Sequence, residues 1–307
     1  MKAHFLYRNR DFDWQWALQA AAVREAARTG RRYYRKREFD PQSGLPWNAD
    51  ALTTDLELDT LLAAMAQDDC CVGEVARKVI LTSSDNDLDT IIYRQQILQD
   101  CLNQPAVVRK LYAIAVEAME KQKKHYLSSF FIKYPDSVLR WSIELLETLL
   151  GSIKRLRKLA DSHADKFVSE GWTEFFAMVQ RELSDEYIAR VQYHSSRLKF
   201  RNGILISAKL SRGNKGADYV LHSPPGRKET WLMRLARAWL PMLFARQPPV
   251  YGFSLNPRDE SGAKALSGLK NRGIAIAANA LAPSAGHVRN FFGALQTELA
   301  FYVGCLN

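Results

Sequence analysis

The chain has 307 residues, 47% hydrophobic and 25% charged, with 43 Lys+Arg against 33 Asp+Glu and a formal net charge of +10. That hydrophobic content excludes a disordered chain, and the length can bury a sizeable core in one elongated or two compact domains. The charge fits a nucleic-acid or other anionic partner, and it equally fits a set of solvated basic faces.

The N-terminus "MKAHFLYRNRDFDW" is polar and charged, unlike a signal peptide, and no apolar stretch reaches the ~18 residues of a spanning helix. Cys70, Cys71, Cys101 and Cys305 form no Cys-x-x-Cys pair and do not read as a secreted disulfide framework. A soluble, cytoplasmic protein with no membrane contact is the expectation.

From Phe12 to about Leu81 helix follows helix, through "WQWALQAAAVREAARTGRRYYRKREF", a Pro/Gly loop near "DPQSGLPWNAD", and "LTTDLELDTLLAAMA". A second region opens with "NDLDTIIYRQQILQDCL". Asp85, Asn86 and Asp87 suit a helix cap, and Asp89 suits the positive end of the helix dipole. Leu88, Ile91, Ile92, Leu98, Cys101 and Leu102 recur at helical spacing and predict the apolar side, with Asp89, Arg94, Gln96, Gln99 and Asp100 mostly opposite. Pro105 suits the first position of the next helix, whose stripe is Val108, Leu111, Tyr112, Ala115 and Met119.

Between about Asp136 and Arg197 the helices lengthen. Leu146, Leu149, Ile153, Leu156 and Ala160 alternate steps of three and four, the seam of a helix packed along an antiparallel partner. After Phe200, "GILISAKLSRGNKGADYVLHSP" predicts a hairpin around a Gly-Asn-Lys-Gly turn, and "VYGFSLNP" could add a third strand. Between them "PPGRKETWLMRLARAWLPMLFARQPP" reads as an amphipathic helix covering the sheet, with membrane contact as the alternative. Helix resumes after Ser261 and ends on a face of Val288, Phe291, Phe292, Leu295, Leu299, Tyr302, Val303 and Leu306. The chain stops within that apolar pattern, at "ELAFYVGCLN", so further polypeptide is expected to follow.

Catalytic chemistry finds little purchase. The histidines His4, His125, His163, His194, His222 and His287 are scattered without a zinc pair, and no Gly-x-Ser-x-Gly elbow occurs. "GLKNRGIA" spaces Gly268 and Gly273 like a phosphate loop but has Ile274 where the lysine belongs. The pairs Asp68/Asp69 and Asp185/Glu186 suit helix capping better than acid-base work. No enzyme, metal or cofactor is expected in this chain.

Binding candidates are the basic clusters, since Lys and Arg neutralise phosphates and release counterions. Three stand out: Arg31, Arg32, Arg35, Lys36 and Arg37 interleaved with Tyr33 and Tyr34; Lys154, Arg155, Arg157 and Lys158; and Arg212 with Lys215 at the hairpin turn. Each is a DNA contact or an ordinary solvated face.

Three strings, "DTIIYRQQILQDCLNQPAVVRKLY", "FRNGILISAKLSRGNKGADYVL" and "AANALAPSAGHVRNFFGALQTELAFYVGCLN", in their order resemble the core and lever region of the MutS family of DNA mismatch repair proteins, in the bacterial MutS-like branch that carries a helical core ahead of an ABC-type ATPase. The likeness runs from about Leu52 onward. The Phe-x-Glu mismatch wedge of MutS proper is absent from the sequence. The resemblance implies a mainly α fold: a helical core, long antiparallel lever helices, and a small antiparallel hairpin or three-stranded sheet inserted after residue 200. Four regions are expected: 1–50, a helical, basic segment; 51–135, the helical core; 136–260, lever helices with the hairpin; and 261–307, returning helices. It further implies a non-catalytic module coupling DNA engagement to ATP hydrolysis in a following domain, in repair or recombination. ATP and Mg²⁺ would belong to that domain, DNA would be bound without sequence preference, and the full-length protein would be a homodimer. The alternative is a helical protein-interaction scaffold with no nucleic-acid role.

Overall fold

The computed structural model of the chain describes residues 1–8, 10–29, 44–82, 87–126, 134–200, 204–211, 215–222 and 259–307. The Arg31 to Arg37 cluster, Arg212, the Trp/Leu-rich stretch after Ser223 and the third-strand candidate "VYGFSLNP" lie outside these residues.

Four helices begin the described fold: α1 (Trp14–Thr29), α2 (Ala49–Asp55), α3 (Leu58–Ala66) and α4 (Cys70–Leu81). Asp69 starts α4 by accepting the N–H groups of Cys71 and Val72, the capping role expected of it. Next come α5 (Leu88–Asn103), α6 (Pro105–Tyr126) and α7 (Pro135–His163), then α8 (Glu170–Glu182) and α9 (Asp185–Leu198). Asp87 caps α5 through the Thr90 N–H at 2.9 Å, and Ser184, one residue before the acidic pair, caps α9. An antiparallel hairpin follows, β1 (Leu205–Ser211) and β2 (Lys215–His222), in register from Leu205 opposite His222 to Ser211 opposite Lys215, with an irregularity between Ser207 and Lys209. The chain closes with α10 (Glu260–Cys305), 46 residues and about 69 Å at 1.5 Å per residue.

The stripe of α6, the seam of α7 and the apolar face of α10 are buried as their spacing predicts, Leu306 alone being half-buried. Glu117 of α6 meets Arg155 of α7, and the two helices pack against each other. α7 and α10 run in the same direction: Asp136 pairs with Lys270 at 2.9 Å, Leu139 and Ile143 share a cluster with Ile274 and Ala278, and Leu146 lines a groove with Leu281.

The face that α5 buries differs from the expected one. Tyr93, Arg94, Ile97, Asp100 and Cys101 point inward, while Leu88, Ile91, Ile92 and Leu102 are exposed. The cause lies in the first eight residues, a non-helical segment in the middle of the core. Arg94 donates to the Leu6 carbonyl at 2.7 Å, and Tyr93 donates to that of His4 at 2.7 Å. From α10, Tyr302 donates to the Phe5 carbonyl, and Glu298 accepts the N–H groups of Phe5 and Leu6 at 2.8 and 2.7 Å. A segment without its own secondary structure leaves backbone polar groups unpaired, and these buried side chains satisfy them. Around it Phe5, Phe167, Trp172, Phe175 and Phe176 form an aromatic cluster, with the Phe5 and Trp172 centroids 4.4 Å apart.

The string "GLKNRGIA" lies wholly within α10, with Ile274 fully buried, so it forms no phosphate loop. Gly273 there has another purpose: a Cβ at this position would overlap Ile206, and the missing side chain lets the hairpin seat on the helix. No helix among the described residues is long and apolar enough to cross a membrane.

Candidate nucleic-acid interface

The four cations of the α7 cluster do not point the same way. Helical geometry places Lys154 and Lys158 one turn apart on the same side, and both are exposed with no acidic partner among the described residues. Arg155 is engaged by Glu117, which also takes Lys121 at 2.6 Å; Lys121 and Arg155 together hold the Glu117 carboxyl below the usual carboxylate range. Arg157 turns inward, its Nε donating to Asp161 at 2.8 Å and its Nη1 to the Gln180 carbonyl of α8. It fastens α8 to α7, leaving two lysines and the Lys121–Glu117–Arg155 network as the outward surface.

The Asp161 partner could have been read from its i,i+4 spacing to Arg157. Glu117 and Lys121 could not, because they belong to α6 and only the packing of the two helices brings them beside Arg155. The sequence therefore identified the cluster but not which of its charges stay free.

At the hairpin, Lys215 opens β2 opposite Ser211, and its side chain is not among the described ones. Lys209 pairs with Asp218 at 3.3 Å, and Arg272 of α10 donates to the Tyr219 hydroxyl at 3.2 Å while lying over its ring. Of the predicted contacts in α7, Lys154 and Lys158 share one outward side while Arg155 and Arg157 are engaged by Glu117 and Asp161, and among the described residues none of the three predicted clusters is seen to join another.

No cluster of metal-ligating side chains occurs among the described residues. Burial pushes the Cys101 thiol up to about 12 and that of Cys305 up to about 11, the reverse of what a reactive thiolate needs.

A family model described as the MutS2 N-terminal domain matches residues 86–307, more than half of the chain. Neither the curated proteins nor the solved structures gave a match. The family match places the MutS-like resemblance at the level of this domain and does not extend to the mismatch-repair branch in particular.

Proposed function

From the premise that the chain belongs to the MutS2 N-terminal domain family through residues 86–307, we propose that it is the DNA-engaging, force-transmitting part of a MutS-like repair or recombination protein. The domain it contains is distinct from a catalytic ATPase domain, so the chemistry would reside in another part of the polypeptide. DNA would contact exposed cations, Lys154 and Lys158 among the described ones, together with the Arg31 to Arg37 run and the hairpin turn. Movement would be carried by α7 and α10 as a pair of levers.

The observation that supports this reading best is the continuous packing of α7 on α10, from the Asp136–Lys270 pair near the hairpin to the central core. Coupling between distant sites needs an element stiff enough to move as a body. Two long helices joined along an apolar seam provide that stiffness, whereas a single exposed helix would bend.

Titration of the chain against fluorescent duplex, mismatched and four-way-junction DNA at two salt concentrations tests the first half of the proposal. The expected result is binding that weakens steeply with salt, since displaced counterions drive it. Absence of binding even at low salt would favour the scaffold reading instead. That reading draws support from Arg155 and Arg157, whose charges are already matched by Glu117 and Asp161.

A further inference from the structure

From Tyr187 to Ala217 the sequence has seven Lys or Arg and no Asp or Glu, where a stretch of that length carries about three acids at the chain's average. The stretch runs down α9 and on into the hairpin. Arg190, Tyr193, His194 and Arg197 recur on α9 at helical spacing, which places them on one side of the helix, and all four are exposed. Ile188 and Ser195, which α9 buries, lie on the other side.

Tyr193 is 53% exposed. The Arg197 guanidinium donates to its hydroxyl and lies over its ring, 5.2 Å from the centroid, and the His194 ring meets it edge-on with centroids 5.3 Å apart. The tyrosine is thus held in one orientation without being buried. No acid among the described residues pairs with Arg197, and Arg190 meets Glu186 in an exposed pair that solvent screens.

We infer that this face of α9 binds an unpaired stretch of DNA, with Arg190 and Arg197 on its phosphates and a base stacked on Tyr193. The inference deepens the proposed function and rests on its DNA reading. Cations alone attract any nucleic acid, paired or not, because phosphates are exposed in both. A flat, exposed ring adds a site for a base whose face is free, and a duplex keeps its bases stacked on their neighbours. Basic groups that track the backbone beside an aromatic platform are the means by which single strands are held. α7 itself supplies no Phe, Tyr or Trp beside Lys154 and Lys158, so those lysines attract either form of DNA while the α9 face discriminates between them.

Fluorescence anisotropy of the full chain with a labelled oligothymidine of about 20 nucleotides, and with the duplex it forms with its complement, tests this at low salt. The expected result is that Tyr193→Ala weakens single-strand binding at least about fivefold and changes duplex binding by less than about twofold. Tyr193→Phe, which keeps the ring, keeps most of the single-strand affinity. Arg190→Ala with Arg197→Ala weakens both forms and lowers the salt slope. Circular dichroism checks that each variant retains its helix. Single-strand binding indifferent to Tyr193→Ala, or an equal loss for both forms, overturns this inference and leaves the DNA reading standing. Binding of neither form overturns both. Tighter binding of an oligouridine of the same length than of the oligothymidine would overturn the assignment to DNA.

Discussion

The Glu298 carboxylate on α10 accepts the backbone N–H of Leu6 at 2.7 Å, across 292 residues of chain. It also takes the N–H of Phe5, so one enclosed acid fixes a segment that has no ladder or helix of its own. Burial pushes this carboxyl up from its ordinary 4.5 to about 7, while the N–H groups of Leu6, Phe5 and Phe12 pull the other way. The folded chain thus holds the proton more tightly than the unfolded one. The corresponding stability is complete below about pH 4.5 and is lost as the pH rises to about 7, a change on the order of 3 kcal/mol. Urea unfolding of the wild type and Glu298→Gln checks this. The wild type should lose stability relative to the variant between about pH 5 and about pH 7.5, whereas a constant difference would contradict the assignment.

Asp100 of α5 acts as a cap for a different helix. Its carboxylate accepts the N–H groups of Val168 and Ser169, at 3.0 and 2.8 Å, just ahead of α8. Asp100→Ala leaves the buried Ser169 N–H and the partly buried Val168 N–H unpaired and should cost about 2–3 kcal/mol in chemical denaturation. Asp100→Asn keeps one acceptor and should cost less; equal losses would mean that packing, not hydrogen bonding, sets the effect.

Two glycines in helices should respond oppositely to alanine. At Gly293 a Cβ would lie 2.6 Å from ring carbons of Trp14, whereas at Gly151 it meets nothing within 4 Å. Gly151→Ala should gain about 0.5–1 kcal/mol from helix propensity. Gly293→Ala should instead lose about 1–3 kcal/mol, because a rigid ring and not a flexible chain end must move. Thermal unfolding of the two variants compares them, and stabilisation by both would show that α1 yields freely at this contact.

The α7 cations should separate by function. Lys154→Ala with Lys158→Ala should weaken DNA binding and lower the salt slope by about two, with little change in stability. Arg157→Ala should do the reverse, since it removes the link from α7 to the Gln180 carbonyl of α8. Affinity at several salt concentrations and unfolding midpoints together make the comparison. A larger affinity loss from Arg157→Ala than from the lysine pair would reject this division.

Spacing alone identified the stripe of α6, the seam of α7 and the closing face of α10. Each is an apolar series at helical period, and burying such a series is the strongest term acting on it. The caps at Asp69 and Asp87 were equally legible, because a cap bonds to N–H groups two or three residues away. α5 has two candidate faces, and its own pattern favoured the side with more aliphatic residues. Tertiary structure reversed that choice. Arg94 and Asp100 turn inward because Leu6 and Ser169 present them with buried backbone groups that no local pattern reveals. The same holds for the basic cluster: its existence is written in α7, but which of its charges remain free depends on Glu117, brought alongside by a second helix. Periodicity reports what a segment can bury, while buried hydrogen bonds and ion pairs depend on which distant groups arrive beside it.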